Sequence, residues 1–226
     1  ISACLVGSEM CIRDSAHGAL TFSYLTKWGS RGSGSGQFTT PYGAGVGPSG
    51  NVYVADTENH RIQVFTPSGS YVTGWGSRGS GNGQFGEPVT VAFDSSGNVY
   101  VADCDNSRVQ KFTSSGGYLA QWGTRGAGNG QFDCTTGIAI DGSDNVYVSD
   151  EFTYRIQKFT SSGSFLTSWG SRGTGNGQFG WPFELAVDGS NNVYTTDYSN
   201  NRVQKFTSNG EFLAQWGGAG SANGQM

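Results

Sequence analysis

The triplet Gly-Gln-Phe begins at residues 36, 83, 130 and 177 of this 226-residue chain, so it returns every 47 residues without insertion or deletion. The same interval separates Trp28, Trp75, Trp122, Trp169 and Trp216. It also separates Asp56, Asp103, Asp150 and Asp197, and Arg61, Arg108, Arg155 and Arg202. A strict period in this range marks one supersecondary unit copied in tandem, and such a unit buries its hydrophobic face only by stacking on its neighbours. Four full copies are present, and part of a fifth begins at Gly224, with Met226 in the place of Phe.

Within the second copy, four short segments rich in β-branched and aromatic residues read as strands: Val89 to Phe93, Asn98 to Asp103, Arg108 to Thr113, and Tyr118 to Trp122. Turn-forming residues separate them, as in Ser95-Ser96-Gly97, Cys104-Asp105-Asn106-Ser107 and Ser114-Ser115-Gly116-Gly117. A strand about every 10 residues predicts an antiparallel meander. Val99 and Val101 point to one face of the second strand, and Tyr100 and Ala102 to the other, so both faces need cover. Repeated four-stranded sheets buried on both sides define an all-β fold, the β-propeller.

Composition excludes other classes. Charged residues make up 13% of the chain, well below the roughly 25% of ordinary soluble domains. No apolar run approaches the roughly 18 residues of a membrane helix, so no membrane span is expected in this chain. The 38 glycines cluster in runs such as Gly79 to Gly86 and do not fall at every third position, which excludes collagen. Residues 1–20 lie outside the pattern; Glu9, Arg13 and Asp14 interrupt their short apolar run, so they read as a non-native addition or a linker, and not as a signal peptide. The propeller is therefore assigned to residues 21–226.

The succession of Gly-Gln-Phe, a proline at Pro88 or Pro182, Asn-Val-Tyr-Val-Ala-Asp, Asn-x-Arg-Val-Gln-Lys-Phe and a closing aromatic-Leu-x-x-Trp-Gly resembles the NHL-repeat family of propellers. That resemblance implies a ring usually of six blades, which at this period needs about 282 residues. The chain is then expected to be an open arc of a larger ring, entering on a last strand at Tyr24 to Trp28. In a propeller of this kind, the loop after the second strand and the loop entering the next blade share one face, here called the top. Cys104 and Cys134 would be neighbours there, either joined as a disulfide or simply two small buried residues.

Comparing the copies separates scaffold from candidate site. The recurrent Asp and Arg, one ending the second strand and the other starting the third, predict an Asp-to-Arg or Asp-to-backbone bond in every blade. Trp122 and Phe112, with their counterparts, are expected to fill the layers between blades. The turn at Asp94 to Asn98 lacks the alternating acidic ligands and closing Glu of a calcium loop, so a turn held by Asp and Asn side chains is expected. The connector Gly76 to Gly83 lacks a Gly-Lys-Ser/Thr ending and a following helix, so it reads as a flexible crossover and not as a phosphate cradle.

The positions that vary lie on the top face. They comprise the aromatic residues Tyr42, Phe152, Tyr154, Trp181, Phe183 and Tyr198, the acids Glu87, Asp105, Glu151 and Glu184, and His60. A constant frame with one diversified face suits a non-catalytic recognition module for a protein, peptide or glycan. Neither a catalytic group, nor a metal site, nor a cofactor is expected. The resemblance also admits metal-dependent lyases and lactonases, whose converging ligands are hard to assemble from His17 and His60 alone. RNA binding and substrate reception for ubiquitin ligases are further roles within the family. An acidic set of variable loops and a net charge of -4 disfavour nucleic acid. The low charge and the cysteine pair suggest an extracellular or cell-surface bacterial setting.

Overall fold

The computed structural model describes residues 26–222 and 224–226. The 1–20 segment lies outside those residues, as does the start of the strand expected at Tyr24. Residues 26–28 are described and are not in a strand. Two short strands, β1 (Ser30–Arg31) and β2 (Gln37–Phe38), pair in parallel ahead of the first blade.

Four blades follow, each an antiparallel four-stranded sheet in simple sequence order. The first is β3 (Pro41–Val46), β4 (Val52–Asp56), β5 (Arg61–Phe65) and β6 (Tyr71–Trp75). The second is β7 (Pro88–Phe93), β8 (Val99–Asp103), β9 (Arg108–Phe112) and β10 (Tyr118–Trp122). The third is β11 (Thr135–Ile140), β12 (Val146–Asp150), β13 (Arg155–Phe159) and β14 (Phe165–Trp169). The fourth is β15 (Pro182–Val187), β16 (Val193–Asp197), β17 (Arg202–Phe206) and β18 (Phe212–Gly217). The strands of the second copy fall within a residue of their expected bounds. Among the described residues the number of blades is four, and the ring of six implied by the resemblance is not seen.

Register explains the regularity of the blade. The middle strands pair residue for residue, from Val99 opposite Phe112 to Asp103 opposite Arg108. The first strand shifts register after its proline, as between Pro88 and Thr90, and the last shifts after Tyr118. Such bulges increase twist at the two sides of a sheet that must stack on others. The inner strands β3, β7, β11 and β15 pack in succession, which arranges the blades as an arc. Gly137 is required by that approach, since a Cβ there would lie 2.2 Å from the Phe183 carbonyl oxygen.

Aromatic layers join the blades as expected. Trp75 meets Phe112, Trp122 meets Phe159 and Trp169 meets Phe206, with ring centroids 5.6, 5.9 and 5.9 Å apart. Those three phenylalanines are fully buried, each worth about 1.5–3 kcal/mol of transfer free energy. Trp216 has no following blade to cover it and is 46% exposed. On the opposite side of the arc, Tyr42 and Val46 of β3 are likewise uncovered.

The glycine-rich connectors are folded loops, in contrast to the flexible crossover expected. Arg78 and Phe85 bridge in parallel, Gly79 N–H donates to the Phe85 carbonyl at 3.1 Å, and Gln84 N–H donates to Gly81 at 3.1 Å. The Gly of each Gly-Gln-Phe needs a left-handed backbone, with φ of 75° at Gly83 and 74° at Gly130. The repeat arginine holds this loop down: Arg108 donates to the carbonyls of Ser80, Gly81 and Gln84.

The Asp–Arg bond forms in three blades and fails in one. Arg61, Arg108 and Arg202 donate through Nε to Asp56, Asp103 and Asp197 at 2.7, 2.9 and 3.0 Å. Asn59, Asn106 and Asn200 donate to the same carboxylates. In the third blade Thr153 takes the place of the asparagine. The buried Arg155 Nε and Thr153 hydroxyl are left without well-formed partners. Burial raises the Asp150 carboxyl against the help of the nearby Thr153 hydroxyl and the Cys134 and Asp133 N–H groups. Asp150 still accepts from the Asp133 and Cys134 backbone N–H groups, as Asp56, Asp103 and Asp197 do from those of Thr39, Gly86 and Gly180, so the Asp-to-backbone bond forms in every blade and only the Asp–Arg bond is missing from the third.

The turn at Asp94 forms as expected: its carboxylate accepts from the backbone N–H groups of Ser96 and Asn98 and from the Asn98 amide. Lys111 completes that cluster with an ion pair to Asp94 at 3.0 Å while lying over the Tyr100 ring. The repeat lysines are thereby committed to the scaffold.

Candidate functional site

The top face is built from the loops after each second strand and the loops entering each first strand. Backbone bonds tie the two together: Cys104 N–H donates to the Glu87 carbonyl at 2.9 Å, Glu151 N–H to Cys134 at 3.1 Å and Tyr198 N–H to Trp181 at 2.9 Å. This pairing puts Glu87 beside Asp105 and brings Glu151 toward both. Cys104 and Cys134 are joined by a disulfide with S–S of 2.06 Å, linking the second blade to the third.

Six of the variable residues meet at one concavity of about 290 Å³. Tyr42, Glu87, Asp105, Glu151, Phe152 and Phe183 line it, together with both half-cystines. Tyr42 and Phe152 are open to solvent, 57% and 48% exposed, and so present ring surface to anything that enters.

The charge there is one-sided. The Glu87 carboxyl is pushed up by burial, by the Asp105 charge and by a hydrogen bond between the two acids, with Asp103 adding to the rise and His60 opposing it. Glu151 is pushed up by burial, by Glu87 and by Asp150. These shifts have one physical origin: carboxylates from two blades are crowded in partly desolvated space. Among the described residues, the one group of three possible metal ligands is Glu87, Cys104 and Asp105, and the Cys104 sulfur is taken by the disulfide.

The other variable residues are placed elsewhere. His60 Nδ1 lies 2.6 Å from the Gly86 carbonyl, which only accepts, so Nδ1 carries the proton and the ring joins the first two blades. Tyr154 packs in the third apolar cluster under the Arg172 guanidinium, 5.4 Å from its ring centroid, and is not part of the concavity. Trp181 and Tyr198 stack on each other at 5.9 Å beside a second, larger depression of about 630 Å³ that Tyr198 helps to line.

Glu184 was grouped with the top-face acids, but its carboxyl reaches inward to the Thr90 hydroxyl of β7, two blades away. Solvent reaches it there, yet desolvation by the surrounding protein pushes its carboxyl up to about 6, opposed by the Leu185 N–H and Thr90. Thr90 and Thr136 were missed in sequence reasoning. They look like ordinary strand residues, and only the curvature of the arc turns one toward Glu184 and the other into the concavity.

Four stacked four-stranded blades sharing one loop-bearing face define a β-propeller arc. Residues 38–65, 85–112 and 179–206 match the NHL repeat, so the first, second and fourth blades each carry a segment similar to it. The third copy, with Thr153 in place of the framework asparagine, is the one outside those matched segments.

Individual relatives share only one repeat. B-box type zinc finger protein ncl-1 of Caenorhabditis elegans is 52% identical over 46 residues, which is 20% of this chain and 5% of that protein. Protein brain tumor of Drosophila melanogaster is 48% identical over 46 residues, 20% of this chain and 4% of that one. Solved structures of similar shape include a streptogramin B lyase at 16% identity and TM-score 0.61, covering 76% of this chain and 53% of the lyase. A structure described as U3-55K has 15% identity and TM-score 0.63, covering 80% and 53%. A putative gluconolactonase has 15% identity and TM-score 0.59, covering 76% and 62%. Identities this low speak to the fold alone. The chain spans about half to three-fifths of these structures and about one-twentieth of the curated relatives.

Proposed function

We propose that this chain is a non-catalytic recognition module whose top face binds a protein or peptide, with the concavity that residues of all four blades line receiving a positively charged segment. The observation that carries this reading is the convergence of Glu87, Asp105 and Glu151 between the open rings of Tyr42 and Phe152. A lysine or arginine side chain would relieve the crowded negative charge and lay its apolar stem or guanidinium plane on the rings. A glycan could use the rings but would leave the charge uncompensated, and RNA phosphates would meet repulsion.

The test is binding of lysine- and arginine-containing peptides, with acidic peptides, a glycan panel and single-stranded RNA in parallel. Glu87→Gln with Glu151→Gln should weaken the basic peptides by about tenfold or more and reduce the salt dependence of binding. Equal binding of basic and acidic peptides would reject the reading.

A lyase or lactonase role draws support only from Glu184, whose raised carboxyl faces Thr90 on the concave side. Turnover of a lactone or cyclic ester, abolished by Glu184→Gln, would favour that role over recognition. The uncovered Trp216 is consistent with a fuller ring of the six-bladed kind, in which a further blade would rest on it. A change in Trp216 fluorescence on adding a fifth module would test that arrangement.

A further inference from the structure

We propose that the Cys104–Cys134 disulfide is a redox-sensitive staple that sets the spacing of the acidic groups in the top-face concavity. Its position carries the argument. Each half-cystine is hydrogen-bonded through its backbone to one acid of the site, Cys104 to Glu87 and Cys134 to Glu151. The S–S bond therefore joins the two blades at the point where their carboxylates oppose each other.

The other blade junctions do without such a bond. Between the first and second blades, the residue at the Cys104 position is Thr57, whose hydroxyl donates to the Pro88 carbonyl at 2.7 Å. Between the second and third, the ties besides the disulfide include Ser107 Oγ to the Asp133 carbonyl at 2.8 Å and Thr135 Oγ1 to the Arg108 carbonyl at 3.2 Å. The third blade is also the one whose Asp150 has lost its asparagine and whose Arg155 Nε is unpartnered. Residues 133–136 and 150–154 thus depend on the covalent link more than their counterparts do.

The link is within chemical reach. Both half-cystines lie at the floor of the concavity and are buried, with exposures of 9% for Cys104 and 5% for Cys134, so a small dithiol reaches a sulfur when the loops above them open. Its thiolate attacks one sulfur, the S–S bond breaks, and a mixed disulfide forms. The second thiol of the reagent then attacks the reagent's own sulfur in that mixed disulfide, and the remaining protein sulfur leaves as a thiolate. Two electrons and two protons pass to Cys104 and Cys134, and the reagent leaves as its own disulfide. Repulsion between Glu87 and Glu151 is then resisted only by the remaining hydrogen bonds.

The proposal concerns the unliganded site and stands whatever the concavity binds. It is tested on the full chain by amide hydrogen exchange, oxidised against reduced with excess dithiothreitol. Exchange at Glu151, Cys104 and Asp133 should rise about tenfold or more on reduction. Tyr198, whose N–H makes the equivalent bond to Trp181 without a nearby disulfide, should stay unchanged. A second readout is the carboxyl titration of Glu87, which faces Asp105, Asp103 and His60, and of Glu151, which faces Glu87 and Asp150. Both should move toward ordinary values after reduction. The double variant Cys104→Ala/Cys134→Ala should reproduce the reduced state without reductant. If it does not fold, the reduced wild-type chain still decides. Unchanged exchange and titration on reduction would overturn the proposal, and so would a uniform rise over all four blades, which would mark a general stabiliser.

Discussion

Replacing Thr153 by Asn should repair the third blade. In the second blade, Asn106 Nδ2 donates to Asp103 Oδ2 and to the Gly79 carbonyl, both at 2.9 Å. The corresponding acceptors in the third blade are Asp150 and Gly126. The loop backbone is already suitable, because the next residue is left-handed in both blades, φ 51° at Ser107 and φ 58° at Tyr154. A bond to a carboxylate is worth about 1.5–3 kcal/mol and one to a carbonyl about 1 kcal/mol. Ordering the asparagine returns up to about 1 kcal/mol of that. The net expectation is about 2 kcal/mol of added stability. For a chain of this size, that is about 4–8 °C in Tm. The assay is thermal unfolding of Thr153→Asn beside the reverse change Asn106→Thr, which should lower Tm by a similar amount. A carboxyl titration should also show Asp150 moving down from its raised value. If Thr153→Asn leaves both Tm and the Asp150 titration unchanged, the asparagine-to-aspartate bond is not what secures these blades.

Three other outcomes follow from the same structure. Trp122→Ala should cost about 3–5 kcal/mol because its ring lies between blades, whereas Trp216→Ala, at an uncovered face, should cost far less; urea unfolding of both variants compares them. Asp94 and Asp141 are raised by burial but held below the ordinary carboxylate range overall by Asn98, Lys111 and Tyr100, and by Asn145, Tyr147 and Ser143. Their contribution is therefore present above the unfolded value near about 4 and lost as pH falls through the lower folded values, so Asn98→Ala should flatten the loss of stability on acidification. Glu184 has the opposite sign. Its folded carboxyl at about 6 favours the protonated form, so stability should fall as pH rises from its unfolded value through 6, and Glu184→Gln should remove that slope.

Much of the fold was legible because it depends on short-range pattern. The 47-residue period, the alternation in Asn-Val-Tyr-Val-Ala-Asp and the turn residues between strands each act over a few residues, and together they define the blade to within a residue or so at its strand ends. The interblade layer of Trp122 on Phe159 was foreseeable too, since a repeated aromatic pair in a stacked module has few other places to go. The sequence by itself therefore determined the module, its copy number and the face on which variation gathers.

Tertiary structure decided how that variation is used. Glu87 and Glu151 come from different copies and meet because adjacent blades stack, with Cys104 and Cys134 joined between their loops. Tyr154 and Glu184 sit at variable positions yet turn away from the concavity, one under Arg172 and the other toward Thr90. Thr153 looks like a mild replacement until Arg155 Nε is seen without its partner. Local propensity fixes a strand or turn from its own residues, whereas the charge spacing, burial and partners of a side chain depend on how far one blade is rotated against the next.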